Sequence, residues 1–234
     1  MSSSTEPGAG GALLLFDIDG TLLLSGGAGG RAMTRAFHDV FGHDQAFNGV
    51  HMAGRTDRFL ISGALARTGL PDTDEQHRRF YEAYLPLLAE EIEQPPTGRY
   101  ALLPGVAALL EHLAGRADVH LALLTGNHET AARIKLAHFG IASYFPWGVF
   151  GDESPVREDL GRLALRRAAE RGLPTSRLAV IGDTPQDVET ARAAGARAVA
   201  VATGTFPAAA LTAAGADVVL EDLGDTARVL DLLV

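Results

Sequence analysis

Apolar and polar positions change period along this chain, and the change marks out its elements. Ala12–Phe16 is an unbroken apolar run of five residues. A run so short and apolar on both alternating faces predicts a strand buried on both sides. From about Pro104 onward similar runs recur at Val119–Leu124, Trp147–Phe150, Leu178–Ile181, Ala198–Ala202 and Asp217–Leu220. Between them lie patterns of helical spacing, over Val106–Arg116, Glu129–Phe139, Arg157–Arg171, Pro185–Ala194, Pro207–Ala214 and Asp222–Leu233. Strands alternating with helices predict an α/β fold, with a parallel sheet covered on both faces. Ala12–Phe16 supplies a further strand of that sheet.

The stretch from Ser25 to Arg99 breaks the alternation. It has no convincing strand and three helical patterns, Arg31–Phe41, Thr56–Thr68 and Thr73–Glu93. Glycines at Gly26, Gly27, Gly29 and Gly30 open it, and Pro95-Pro96-Thr97-Gly98 closes it. A crossover between parallel strands needs one helix. Three helices between a flexible and a stiff linker predict an inserted helical cap over 25–99, on a core built from 12–24 and 100–234. Residues 1–11 are small, polar and Gly-rich, and read as a disordered tail.

Three polar clusters fall at predicted strand ends, where parallel α/β sheets bind ligands. Asp17-Ile18-Asp19-Gly20-Thr21 comes directly after the first run. Side chains at i and i+2 of a strand point the same way, so Asp17 and Asp19 can meet one substrate. Two acids so close call for a divalent cation or a shared proton. Thr125-Gly126-Asn127 comes after Val119–Leu124, and a hydroxyl before a helix start offers free N–H groups to a phosphate. Gly182-Asp183-Thr184-Pro185-Gln186-Asp187 comes after Leu178–Ile181. It places Asp183 at the strand end and Asp187 in the first helical turn, where either can bind or orient a cation. Each cluster read alone is also a turn or a helix cap; their convergence on one sheet edge argues for a site.

Composition narrows the chemistry. The 234 residues contain no cysteine, which excludes disulfides, thiolate zinc sites and a thiol nucleophile. The eight histidines have no zinc-site spacing. A net charge of −9 argues against general nucleic-acid binding. An anionic substrate must therefore be drawn by local cations. No targeting segment or membrane-length apolar run is visible, so the expected location is cytoplasmic.

These ordered clusters resemble the haloacid dehalogenase-like hydrolase superfamily over nearly the whole chain. Asp17 to Thr21 is similar to its first motif, Leu123 to Asn127 to its second and Gly182 to Asp187 to its fourth. The helical insertion, Gly54-Arg55-Thr56-Asp57 and Lys135-Leu136-x-x-Phe139-Gly140 resemble the group of phosphoglycolate phosphatase and β-phosphoglucomutase. The resemblance implies a Rossmann-like core and a Mg²⁺-dependent phosphatase of a small phosphorylated metabolite. It implies Asp17 as nucleophile and Asp19 as general acid and base. Mg²⁺ is then bound by the Asp17 carboxylate, the Asp19 backbone carbonyl and Asp183, with Asp187 behind them. Thr125, Gly126 and Asn127 hold phosphate. The family's third motif, a lysine before the fourth motif's strand, is missing. The single lysine, Lys135, lies about 15 Å down the helix after Thr125 at ~1.5 Å per residue, and is set aside on that ground. Arg157 is the expected substitute, Arg162 the second choice, because arginine stays charged and grips phosphate bidentately. Arg55 and Thr56 are the candidate substrate contacts of the cap. A sugar phosphomutase on the same core and a catalytically silent binding module are the alternatives. The intact acids oppose the second.

Overall fold

The computed structural model describes residues 11–94 and 99–234. Residues 1–10 of the expected tail and the Pro95–Gly98 linker lie outside them. In chain order the elements are β1 (Ala12–Phe16), β2 (Leu23–Ser25), α1 (Ala28–Phe41), α2 (Asp57–Arg67), α3 (Asp74–Ile92), β3 (Tyr100–Leu102), α4 (Val106–Ala114), β4 (Val119–Leu124), α5 (Glu129–His138), β5 (Gly148–Val149), α6 (Arg157–Glu170), β6 (Leu178–Gly182), α7 (Pro185–Ala193), β7 (Arg197–Val201), α8 (Ala208–Ala214), β8 (Val218–Leu220) and α9 (Thr226–Leu233).

Six strands form one parallel sheet in the order β5–β4–β1–β6–β7–β8. The apolar run of β1 puts it at the centre, paired with β4 on one side and β6 on the other. Ala12, Leu14 and Phe16 pack into the core on one face of the sheet, Leu13 and Leu15 into the core on the other. No polar side chain could take any of these positions without losing its hydrogen bonds to water.

The helical insertion α1–α3 stands between β2 and β3. It has its own apolar cluster, which includes Phe37, Phe47, Ile61, Phe80 and Leu88. Ala131 of α5 belongs to the same cluster, so the insertion is packed on a core helix as well as tethered to the core. β2 and β3 pair antiparallel, Leu23 with Leu102 and Ser25 with Tyr100. This ribbon is not visible in the sequence, because three residues are too few to show a period. It ties the two connections of the cap together, and a bond from the Gly26 N–H to the Arg99 carbonyl at 3.0 Å extends it.

Two expected boundaries move. Gly29 and Gly30 read as linker but lie in the first turn of α1, after Gly27 at φ 79°. A Cβ on Gly29 would stand 3.5 Å from Lys135 Nζ, an ordinary contact, so this first turn is packed beside Lys135 rather than a flexible joint. The last helix starts at Thr226, not Asp222, because the Asp225 side chain caps it by accepting the Arg228 N–H.

Candidate active site

Parallel strands deliver the residues beyond their carboxyl ends to one edge of the sheet. Asp17 comes directly after β1 and is still in the ladder, its N–H donating to the Ile181 carbonyl at 2.9 Å. Asp183 comes directly after β6, and Thr203 and Gly204 lie just beyond β7. Together with the cap they enclose a cavity of about 660 Å³, whose walls include Asp17, Asp19, Arg55, Lys135, Arg157 and Asp183.

One side of this cavity is a buried acid cluster. Asp17, Asp183 and Asp187 each offer a carboxylate oxygen within 4.8 Å of the others. Arg157, the first residue of α6, places Nη2 2.6 Å from Asp187 Oδ1 and 3.2 Å from Asp17 Oδ1. Asp187 also accepts on Oδ2 from the Thr184 N–H at 3.0 Å and the Thr184 hydroxyl at 2.7 Å. Both of its oxygens are thereby committed to bracing Arg157 and the turn into α7. Asp183 accepts from the Thr21 hydroxyl at 3.3 Å.

Burial dominates the electrostatics. It pushes Asp17 up to about 6, with Asp187 and Asp19 adding to the rise and Arg157 opposing it. It pushes Asp183 up to about 9, helped by the Asp187 and Asp17 charges. Burial works against the charge of Arg157, but the Asp187 and Asp17 carboxylates outweigh it and raise its pKa, so the guanidinium stays charged.

The residues present fit a divalent cation. Three acids share one arginine, which leaves the cluster short of positive charge. A Cβ on Gly20 would stand 2.3 Å from Asp183 Oδ2, and one on Gly204 1.7 Å from it, so two glycines keep room around that oxygen. An all-oxygen donor set suits a hard cation such as Mg²⁺.

Asp19 belongs to the other side. Its Oδ2 accepts from Lys135 Nζ at 2.6 Å and from Asn127 Nδ2 at 2.8 Å. Lys135 also donates to Asn127 Oδ1 at 2.7 Å, which closes the triangle. The Asp19 carboxylate is therefore outside the acid cluster, where Asp187 stands instead. Lys135, set aside on its distance along the helix, is thus in the site after all. Two physical reasons account for the error. Helix α5 starts only at Glu129, so Lys135 is about 9 Å in at ~1.5 Å per residue, and helical side chains lean back toward the N-terminus. Arg157 does stand beside Asp17. Arg162 does not, being exposed and paired with Asp159 at 2.6 Å.

Gly126 and Asn127 reach the cavity wall. Thr125 is fully buried and does not itself line the cavity; its hydroxyl accepts from the Asn127 N–H and Nδ2 at 3.3 and 2.9 Å. Above them the cap is seated on the core through backbone. The Asp57 N–H donates to the Gly126 carbonyl at 2.7 Å and the Arg58 N–H to the Gly151 carbonyl at 3.1 Å. The His128 N–H returns a bond to Asp57 Oδ2 at 2.8 Å. Burial pushes Asp57 up to about 7, against the pull of that N–H and of Lys135. Thr56 does not line the cavity: it caps α2 by accepting the Phe59 N–H and donates to the Pro155 carbonyl at 3.2 Å. Arg55 does line the cavity, its guanidinium 4.9 Å from the centre of the Phe59 ring. Gly204 does not stand out in the sequence, since it lies in no chemical pattern, whereas Asp57 closes the Gly54–Asp57 match and what the sequence does not show is that it seats the cap on the core.

The seat gives a direct test. A Cβ on Gly126 would stand 2.0 Å from the Arg55 carbonyl oxygen and 2.8 Å from Arg157 Nη1. Gly126→Ala must lift the cap or displace Arg157. We expect about a 10²-fold loss in kcat/KM, the scale of an ångström-level misplacement, with a melting temperature close to wild type. Unchanged kinetics would show that the seat is not needed.

Sheet order, inserted helices and the acids at the strand ends define a class, and the family model described as haloacid dehalogenase-like hydrolase matches residues 14–192. The chain belongs to that family. Its relatives include phosphatases. The phosphoglycolate phosphatase of Rhodospirillum rubrum is 30% identical over 217 residues, which cover 91% of this chain and 89% of that one. That of Caulobacter vibrioides is 28% identical, covering 96% and 93%. Among solved structures, a hydrolase from Pseudomonas syringae matches with a TM-score of 0.70 and 25% identity over 95% of this chain and 99% of that one. A β-phosphoglucomutase from Clostridium difficile also reaches 0.70, at 17% identity over 94% and 95%, which is a likeness of fold. The chain is a haloacid dehalogenase-like hydrolase with phosphatases among its relatives, and among the described residues no helix is long and apolar enough to cross a membrane.

Proposed function

We propose that this protein is a Mg²⁺-dependent phosphomonoesterase that hydrolyses a small phosphorylated carboxylic acid, of the phosphoglycolate kind, through an aspartyl phosphate on Asp17. The observation that carries the reading is the division of labour between two acids two residues apart. Asp17 sits among Asp183, Asp187 and Arg157. Asp19 is held away from them by Lys135 and Asn127. A nucleophile and a proton carrier need such different surroundings.

Asp17 attacks phosphorus, and the bond from phosphorus to the leaving oxygen breaks as Asp19 gives that oxygen its proton. Asp19 then takes a proton from the water that attacks the aspartyl phosphate, and inorganic phosphate leaves. Asp17 and Asp183 would hold the cation, which when bound offsets the repulsion between the anionic nucleophile and the phosphate. Arg157 and the N–H groups around Gly126 and Asn127 hold the phosphoryl oxygens as charge redistributes. The docked cap keeps bulk water from the intermediate.

The phosphoglycolate phosphatases among its relatives support the substrate class. So does Arg55, a cation on the cap side of the cavity, which can pair with a substrate carboxylate. Release of inorganic phosphate from a panel of phosphorylated metabolites with Mg²⁺ tests the reading, with 2-phosphoglycolate expected among the best. Transfer of the phosphate to a sugar hydroxyl rather than water would make the protein a mutase, and no transfer at all a binding module. Arg55→Ala should lower kcat/KM for the acid substrate about tenfold or more, ~1.4 kcal/mol, and leave p-nitrophenyl phosphate nearly unaffected. Equal losses on both would make Arg55 structural.

A further inference from the structure

Lys135 is the chain's single lysine. Elsewhere the chain uses arginine for its basic positions, and this lysine is buried at 4% exposure. Removing an ammonium from water is costly, and a buried ion pair does not by itself stabilise a fold. A structural role is therefore a weak reason for an ammonium here. Its contacts are specific. Nζ donates to Asp19 Oδ2 at 2.6 Å and to Asn127 Oδ1 at 2.7 Å, while Asn127 Nδ2 donates to the same Asp19 oxygen at 2.8 Å. Both bonds to Asp19 fall on Oδ2, and no described residue donates to Oδ1.

We propose that Lys135, with Asn127, is a positioning residue that fixes the Asp19 carboxylate by one oxygen and keeps the other for proton transfer to the leaving group. This role rests on Asp19 being the proton carrier of the proposed reaction. Free rotation of an aspartate would spread its carboxylate over many orientations, few of them in line with a leaving oxygen. Two donors on one oxygen remove that freedom before substrate arrives. The cap contributes as well. A Cβ on Gly29 of α1 would be in ordinary contact with Nζ at 3.5 Å and with the Tyr84 hydroxyl at 3.8 Å, so cap residues border the lysine head. A compact ammonium fits that space, whereas a planar guanidinium is broader.

A leaving group that needs no proton separates this role from a merely structural one. p-Nitrophenolate departs as a stable anion, whereas an alkoxide needs protonation as it leaves. The rate to measure is formation of the acid-quenched phosphoenzyme in a single turnover, before hydrolysis of the intermediate intervenes. In Lys135→Gln we expect it to fall by about 10- to 100-fold with 2-phosphoglycolate and by less than about twofold with p-nitrophenyl phosphate. In an Asp19→Asn background, Lys135→Gln should add little further loss with the alkyl substrate. Equal slowing with both leaving groups, full additivity with Asp19→Asn, or no slowing with the alkyl substrate would overturn the proposal. Should Lys135→Gln melt early, Lys135→Arg is read on the same pair of substrates, and a selective loss with the alkyl ester is again required. The wild-type protein and Asp19→Asn alone keep the two readings apart. If wild type forms no phosphoenzyme, or Asp19→Asn is not selective for the alkyl leaving group, the proposed mechanism fails. If both behave as expected and the lysine variants do not, only the role of Lys135 fails.

Discussion

Asp17→Asn is expected to lose roughly four orders of magnitude or more in turnover while keeping its fold, the scale at which removal of a nucleophile acts. The amide has nearly the size of the carboxylate. It can still accept from Arg157, whose Nη2 is 3.2 Å from Asp17 Oδ1. The charge that attacks phosphorus in the proposed mechanism disappears. Wild-type protein quenched in acid during turnover should carry one phosphate per chain, released by hydroxylamine as an acyl phosphate is. The variant should carry none. Melting should not fall, because burial already disfavours the Asp17 charge and the amide removes that cost. Hydroxylamine-labile phosphate on Asp17→Asn, or near-normal turnover without wild-type contamination, would place the nucleophile elsewhere.

The sheet and the acids are legible in the sequence for the same reason. Leu13 to Phe16 must be apolar to be buried on both faces, and a residue just past so apolar a strand lands at its carboxyl end. Asp17 and Asp183 are legible because one strand position fixes each. Strand order is not legible, since β1 between β4 and β6 is a decision of tertiary packing. Residues that reach the site from the side of an element are not legible either. Lys135 is a buried member of a helix whose other apolar residues hide its register, and only the loop Thr125–His128 shows how close α5 starts to the site. Thr56 fails for the opposite reason. A threonine before a helix reads as a binding residue or as a cap, and here its hydroxyl is spent on Phe59 and Pro155.

Mg²⁺ should stabilise this protein more strongly as pH rises, because the acids that would hold it are raised. In metal-free protein the folded state holds Asp17 at about 6 and Asp183 at about 9, both above the ordinary aspartate value of 3.8. The folded state therefore binds more protons than the unfolded chain between about pH 4 and about pH 9, and stability falls as pH rises through that window. Asp57, raised to about 7, adds to the same fall without facing the cation. Mg²⁺ binds only the deprotonated carboxylates, so it competes with those protons. The melting-temperature rise produced by Mg²⁺ should be small near pH 5 and should grow steadily toward pH 9. An ion at a hundred times its Kd adds about 2.7 kcal/mol, or roughly 5–10 °C for a chain of this size. Asp183→Asn should flatten the metal-free slope above about pH 6 and abolish the Mg²⁺ response, while Asp57→Asn should leave that response intact. In the proposed mechanism activity depends on the same site, so EDTA should abolish it, Mg²⁺ restore it, and Ca²⁺, with its larger and looser shell, support it poorly. A Mg²⁺ shift that is equal at all pH values, or that survives in Asp183→Asn, would move the cation away from Asp17 and Asp183, and full activity in metal-free protein would remove it from the reaction.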